Sequence, residues 1–468
     1  MAAIEHVVVL MLENRSFDSM LGKLYPAGPN FNGLTGLEAN SYGGQPLPVW
    51  TSGTMDADVA STPTPDPGEL FTDMTFQLFG GPAGKAPPSM GGFVGNYMAQ
   101  PAADRPFDPR SVLHYFTPEQ VPIISTLAKA FGVCDQWHAS APCQTWPNRF
   151  FVHTGTALGY VNNSQFPIPF PAPSIFHQLQ TAGRSWRVYF HDVPQSLLLR
   201  DIWLSAPLHY RFFDQFLVDA NNGVLPNYSF IEPRYFTDTI LREIPNDEHP
   251  PHNIMFGEQL IANVYNAVRN SPCWKKTLLI ITCDEHGGCF DHAPPPNAIP
   301  PDSHNQEGFD FDRYGVRVPA VLVSPYIPAG SIIRAAPQGV PHDGPPYPFD
   351  HTSILATLSS LFNLAPLTAR VRAAPNLLSA LSLPLPINDG PKSITVTTPT
   401  TTTTTASNKA KLPPNHMQTN LARMAASLPV SAPTQITPEP IPMADVTPPT
   451  VAVAAANAIA RVKSFLNL

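Results

Sequence analysis

The run Thr277-Leu-Leu-Ile-Ile-Thr-Cys-Asp-Glu-His-Gly-Gly-Cys-Phe-Asp-His292 narrows what this chain can fold into more than any other stretch. Leu278 to Ile281 is continuously apolar, as a strand must be when both faces of its sheet are covered, and this is the signature of a parallel sheet between layers of helix. Ligands collect outside the carboxyl ends of such strands. There the apolar run stops in two adjacent carboxylates, Asp284 and Glu285, which repel each other and stay ionised together only beside a cation or a basic group. A divalent metal meets that need. Gly287 and Gly288 allow a tight turn or a close backbone approach to a ligand, while His286, Asp291 and His292 add groups able to ligate metal or move protons. A polar turn closing a strand is the plainer reading of the same residues.

The pattern of strand followed by acidic cluster occurs twice. Val7 to Leu12 reads as a second buried strand, and it ends in Glu13-Asn-Arg-Ser-Phe-Asp18. Glu13 is a hard oxygen ligand, and Asn14 can offer a carbonyl oxygen to a metal or an amide to a substrate oxyanion. Helix capping by Asn14 or Ser16, with Arg15 in an ion pair, accounts for the cluster structurally.

Three further stretches carry candidate chemistry. In Val133 to Arg149, Thr145 is expected to cap a helix running through Gly155, with Pro147 in its first turn. A hydroxyl there sits where backbone N–H groups favour an anion, and a nearby metal can turn it into a nucleophile. Capping alone explains Thr145 equally well. Arg149 serves either as a phosphate clamp or in a surface ion pair. In Asn246-Asp-Glu-His-Pro-Pro-His252, ahead of a helix expected over about 254–270, His249 and His252 either donate to phosphate oxygens and protonate a leaving group or stand as exposed loop histidines. The run from Phe349 to Leu358 opens a helix with Asp350 or Thr352 as cap and His351 at its mouth.

The rest of the chain sets the frame. Strands expected over 185–189, 227–233 and 318–324 alternate with helices, one of them within 114–131, where His114 reads as structural. The stretch 28–109, rich in Gly, Pro, Asn and Ser, reads as loops over the first sheet edge. Beyond about Pro386 the sequence becomes rich in Thr and Pro, including the run Thr400 to Thr405, and this reads as a disordered low-complexity linker over 387–449. An Ala-rich segment, 450–468, reads as a short amphipathic C-terminal helix. A net charge of −8 leaves no basic excess with which to neutralise a nucleic-acid backbone, although a small phosphorylated substrate remains compatible. No stretch is long and apolar enough for a transmembrane segment. The opening residues lack a basic region and a small-residue cleavage site, so the expected location is cytoplasmic, or secreted if a leader has been removed. Five cysteines without Cys-x-x-Cys spacing read as free thiols.

Taken together, Glu13-Asn-Arg-Ser-Phe-Asp18, Thr145-Trp-Pro-Asn-Arg149, Asn246-Asp-Glu-His-Pro-Pro-His252, Asp284-Glu-His-Gly-Gly288 and Asp350-His-Thr-Ser353 resemble the phosphoesterase family that contains bacterial phospholipases C and a class of acid phosphatases. The resemblance covers roughly residues 4 to 366. It implies an alkaline-phosphatase-like α/β fold, a three-layer α/β/α sandwich with a mostly parallel central sheet, forming a catalytic domain over 1–386. It further implies that Glu13, Asn14, Asp284 and Glu285 hold one divalent metal ion and that Thr145 attacks phosphorus to give a phospho-enzyme. His138, His249, His252, His292 and His351, with Arg149, would then line the phosphate pocket. The ion's identity stays open: all-oxygen ligands suit Ca, Mg or Mn, and the nearby histidines leave Fe or Zn. The implied activity is hydrolysis of phosphoric esters, phospholipid among them, by a phosphatase or a phospholipase C. A sulfatase is disfavoured, because no Cys-x-Pro-x-Arg run occurs. The alternative from another class is a non-catalytic binding or surface protein that keeps the fold.

Overall fold

The computed structural model describes residues 4–81, 87–101, 107–163, 166–335, 347–433 and 441–468. Its strands are β1 (His6–Leu12), β2 (Ala39–Tyr42), β3 (Gln45–Pro48), β4 (Gly132–Val133), β5 (Trp137–His138), β6 (Trp186–Phe190), β7 (Tyr210–Phe212), β8 (Tyr228–Glu232), β9 (Thr277–Cys283), β10 (Ala320–Val323), β11 (Ser331–Ile332) and β12 (Phe349–Asp350). Eight of them form one sheet in the order β11-β4-β10-β9-β1-β8-β6-β7. Strand β1 lies at its centre, parallel to β9 on one side and to β8 on the other. The apolar runs Val7–Leu12 and Leu278–Ile281 are therefore in hydrogen-bonded neighbouring strands, Val7 facing Leu278 and Leu12 facing Cys283. From Val7 to Leu12, and along all of β9, no side chain reaches solvent on either face.

Two helical layers provide that cover. Helices Pro122–Ala130, Phe213–Asn221 and Ile254–Arg269 pack against one another and onto β1, β9, β10 and β6. Helices Thr145–Thr154, Ile175–Thr181 and Thr352–Phe362 form the second group, with Ile175–Thr181 lying on β6. The architecture is the expected three-layer α/β/α sandwich with a mostly parallel sheet. One strand departs from it: β10, within the expected 318–324 run, is antiparallel to both β9 and β4. A continuous apolar run marks two-sided burial without fixing strand direction.

Two expectations need correction. The stretch 28–109 is more than loops: it contains the β2–β3 hairpin and helices Phe71–Phe79 and Phe93–Ala99. These enclose a small core of Leu78, Val94, Tyr97 and Leu113 with Phe290 and Val316. The expected disordered linker contains helices Thr403–Ala410 and His416–Ser427, the latter opened by an Asn415–Gln418 capping box, while 434–440 lies outside the described residues. Helix His416–Ser427 packs on the C-terminal helix Val451–Leu466. Leu421, Met424, Leu428, Val462 and Phe465 are buried in the same core as the sheet. Gln418 Nε2 donates to the Tyr235 carbonyl at 2.8 Å, and the Phe465 ring meets Trp203 at 5.4 Å. All five cysteines are buried and unpaired. Among the described residues, no helix is long and apolar enough to cross a membrane.

Candidate active site

Because β6, β8, β1 and β9 are adjacent and parallel, their carboxyl ends open along one edge of the sheet, and the polar residues there converge. Glu13 follows β1, Asp284 follows β9, Glu232 ends β8, and Gln195 opens the short turn Gln195–Leu198 beyond β6. Helix Thr145–Thr154 points its N-terminus at the same place. Its N-cap is Gln144, and Thr145 is its first residue, which corrects the expected capping role. The Thr145 hydroxyl is consequently not spent on a cap and instead donates to Glu13 Oε2 at 3.5 Å.

A dense carboxylate network surrounds that hydroxyl. Glu13 Oε1 accepts from Arg149 Nη2 at 2.5 Å and from Gln195 Nε2 at 2.7 Å. Asp284 Oδ1 accepts from the Asn14 backbone N–H at 3.0 Å and the Glu285 N–H at 2.8 Å. Asn14 Nδ2 bridges Glu69 Oε1, at 2.8 Å, and Glu285 Oε1. These bonds hold Asn14 at φ +50°, a conformation that costs a non-glycine residue energy and recurs at functional sites. Gly287 explains why a glycine follows here: at φ +58°, a Cβ would stand 2.3 Å from the Asn14 carbonyl oxygen.

The oxygens fit a cation. Asn14 Oδ1, Asp284 Oδ2 and Asp247 Oδ2 are buried without a hydrogen-bond partner, which buried polar atoms seldom tolerate unless something else satisfies them. Burial pushes the Glu13 carboxyl well above its ordinary value against the pull of Arg149, with Asp284 adding to the rise. Burial also raises Glu285 strongly, and Glu69 and Asp284 raise it further. Asp66, Glu69 and His249 bring ligand atoms within 4.8 Å of one another in the same region. A buried set this rich in carboxylate, compensated chiefly by Arg149, suits a hard divalent ion.

The histidines divide. His249 Nδ1 donates to the Pro250 carbonyl at 2.5 Å, and its Nε2 faces Glu69 Oε1 at 3.3 Å. Burial opposes charging this ring, but Asp66 and Glu69 outweigh that and hold its pKa well above the usual value. His252 Nδ1 donates to Asp247 Oδ1 at 2.7 Å, and the Asp247 carbonyl accepts from the Glu13 N–H, which ties this pair to the site. His351 Nε2 donates to the Asp284 carbonyl at 2.6 Å while its Nδ1 accepts from Trp137 Nε1 at 3.4 Å, so its ring braces Asp284 and has no nitrogen left for a phosphate. His138 Nδ1 donates to the Gly315 carbonyl at 2.9 Å, and burial lowers its pKa to about 4. His292 Nδ1 donates to Asp18 Oδ2 at 2.7 Å within a separate network in which Arg317 pairs with Asp18 and Asp291. Among the described residues, no hydrogen bond joins His138 or His292 to Glu13, Thr145 or Asp284.

Comparison with known proteins settles the family. The Phosphoesterase family matches residues 4–365. The chain belongs to the phosphoesterase family. Two Arabidopsis thaliana relatives are similar to most of this phosphoesterase. Non-specific phospholipase C6 is 39% identical, over 77% of this chain and 68% of its own, and non-specific phospholipase C1 is 37% identical, over 77% and 67%. A crystal structure of an alkaline phosphatase superfamily protein from Vibrio parahaemolyticus aligns at 12% identity with a TM-score of 0.32, over 55% of this chain and 63% of that one. Membership makes the chain a phosphoric ester hydrolase.

Several residues of the phosphoesterase site escaped sequence reasoning. Asp66 and Glu69 lie in Pro65-Asp-Pro-Gly-Glu69, inside the stretch read as loops, and nothing in their spacing separates them from turn residues. Gln195 and Glu232 join the site only because β6 and β8 pair. Asp247 lies within the motif Asn246 to His252, and its pairing with His252 emerges only in the fold.

Proposed function

We propose that this phosphoesterase is a metal-dependent hydrolase of phosphodiesters, of the phospholipase C type, acting through a phospho-enzyme on Thr145. The carrying observation is the Thr145 hydroxyl, free of capping duty at a helix N-terminus and 3.5 Å from Glu13 Oε2 in a buried carboxylate pocket. Relatives named as non-specific phospholipases C support the choice of a diester.

Glu13, Asn14, Asp284 and Glu285 would hold the divalent ion, which when bound neutralises charge on phosphoryl oxygens and lowers the pKa of a neighbouring hydroxyl. Thr145 Oγ1 forms the new bond to phosphorus as the alcohol oxygen leaves, its proton passing to Glu13, which returns it to Thr145 Oγ1 when the phosphothreonine is cleaved. His252, oriented by Asp247, delivers a proton to the departing oxygen and afterwards takes one from the water that cleaves the phosphothreonine. Charged His249, held between the Pro250 carbonyl and Glu69, adds positive charge beside the phosphoryl oxygens. Arg149 pairs with Glu13 and orients its carboxyl toward the Thr145 hydroxyl.

The test is hydrolysis of p-nitrophenylphosphorylcholine and p-nitrophenyl phosphate before and after chelation and metal add-back. Chelator-sensitive cleavage of the choline diester, restored by add-back, is expected. Preference for the monoester would mark a phosphatase of the acid phosphatase type, and silence on both substrates with metal bound would overturn the catalytic reading.

A further inference from the structure

The connection that carries Asp247, His249 and His252 to the site makes an excursion first. Its base is pinned by Arg234 and Asn246: the Arg234 N–H donates to Asn246 Oδ1 at 2.6 Å, and the Asn246 N–H donates to the Arg234 carbonyl at 3.0 Å. Its tip is a tight turn closed by reciprocal backbone bonds between Asp238 and Glu243, at 2.7 and 3.0 Å. Asp238 Oδ1 accepts from the N–H groups of both Ile240 and Leu241 at 2.8 Å. The turn is thus held by backbone bonds, by Asp238 and by an ion pair between Glu243 and Arg234. The side chains of Ile240 and Leu241 take no part and stand outward, 88% and 65% exposed.

Exposed turns ordinarily carry Gly, Asn, Asp or Ser, because aliphatic side chains gain nothing there from folding. Two adjacent aliphatics at such a tip imply an apolar environment outside the molecule. The surface around the tip mixes apolar side chains with charged and polar ones. Leu241 overhangs a cavity of about 570 Å³ with Leu217, Phe212 and Phe256 in its wall, and Ile240 borders a smaller one of about 160 Å³ against Ala452 and Ala456 of the C-terminal helix. Val218, on the same helix as Leu217, is 48% exposed.

We propose that the 238–243 hairpin is a lipid-docking element that inserts Ile240 and Leu241 into a zwitterionic phospholipid surface and so presents the site to substrate lying in that surface. This rests on the phospholipase reading. Two observations favour a lipid surface as the occupant. The hairpin and the site belong to one connection at one edge of the sheet, with Asn246 at the hairpin base adjoining Asp247 of the site. The charges around the tip, Asp192, Asp214, Asp238 and Glu243 against Arg234, Arg242 and Lys463, leave no basic excess on a chain of net charge −8. Attachment therefore depends on apolar insertion rather than on attraction to anionic lipid.

The experiment compares the full chain with its Ile240→Ser/Leu241→Ser variant by sedimentation with phosphatidylcholine vesicles, by hydrolysis of the vesicle lipid, and by turnover of soluble p-nitrophenylphosphorylcholine. Vesicle binding and vesicle hydrolysis are expected to fall about tenfold or more, with turnover of the soluble diester unchanged. Ile240→Trp should show a blue-shifted emission when vesicles are added. Equal vesicle binding by wild type and double variant, or no binding by wild type, would overturn the docking proposal even if the soluble diester is cleaved. Hairpin-dependent vesicle binding without cleavage of either substrate would uphold docking and sink the phospholipase reading instead. A change in oligomeric mass without a change in vesicle binding would reassign the face to a contact between copies and overturn the proposal.

Discussion

Replacing Gly287 by alanine should damage the site through a single displaced oxygen. Gly287 sits at φ +58°, and a Cβ built there lies 2.3 Å from the Asn14 carbonyl oxygen. Ordinary contact requires about 3.5 Å, so the Asn14 backbone must retreat by about 1.2 Å or the turn must open. Asn14 supplies the N–H that orients Asp284 and the amide that bridges Glu69 and Glu285. A misplacement of about 1 Å in a catalytic array costs about a hundredfold in rate. We therefore expect Gly287→Ala to lower kcat/KM for p-nitrophenylphosphorylcholine about a hundredfold and to weaken cation binding measured by calorimetry. The left-handed backbone adds about 1–2 kcal/mol of destabilisation. Gly43→Ala separates the two effects: Gly43 has φ +59° with nothing within 4 Å of its Cβ position, so it should lose stability alone. If Gly287→Ala keeps wild-type kcat/KM and cation affinity, the proposed cradle around Asn14 is wrong.

Other perturbations follow from the same geometry. Glu258 is fully buried, with burial raising its pKa from 4.5 to about 7, a difference worth about 3 kcal/mol. The folded state keeps the proton that the unfolded state has lost, so this contribution to stability should disappear as pH rises from about 4.5 through 7. The urea-derived stability of Glu258→Gln should lack that decline, and equal slopes in the two proteins would refute it. Asp247→Ala leaves His252 Nδ1 without its acceptor and should lower kcat about 10- to 100-fold, with the loss measured on the soluble diester. Truncation after Pro386 removes, among other buried side chains, the large apolar Leu421, Met424, Leu428, Val462 and Phe465. At about 1.5–3 kcal/mol each, this approaches the whole stability of a domain, and the truncated chain should be insoluble or fail to melt cooperatively.

What the sequence disclosed was whatever local pattern encodes. The apolar runs Val7–Leu12 and Leu278–Ile281 revealed the sheet centre because two-sided burial forbids polar residues, and the acidic residues at their ends followed from strand geometry. Direction did not follow, which is why β10 was legible as a strand but not as the antiparallel one. Glu69 and Gln195 reach the site through tertiary pairing that leaves no local trace. The C-terminal segment misled for another reason. Its buried positions include Ala406, Ala410, Ala422 and Ala425, small residues that carry little hydropathy signal, set among many of the chain's 57 prolines. The Asn415–Gln418 capping box was the one cue to helix His416–Ser427. Thr145 was picked out correctly as a helix-start hydroxyl, but its position one residue inside the cap, which frees the hydroxyl, needed the structure.

The most direct test of the account is to trap the phospho-enzyme. Metal-loaded protein mixed with p-nitrophenylphosphorylcholine and quenched in acid within one turnover should carry one phosphorylcholine group on Thr145, located by peptide mass spectrometry. Thr145→Ala should neither form the adduct nor turn over. Undiminished turnover by Thr145→Ala, or an adduct on another residue, would contradict the central claim that this hydroxyl is the nucleophile.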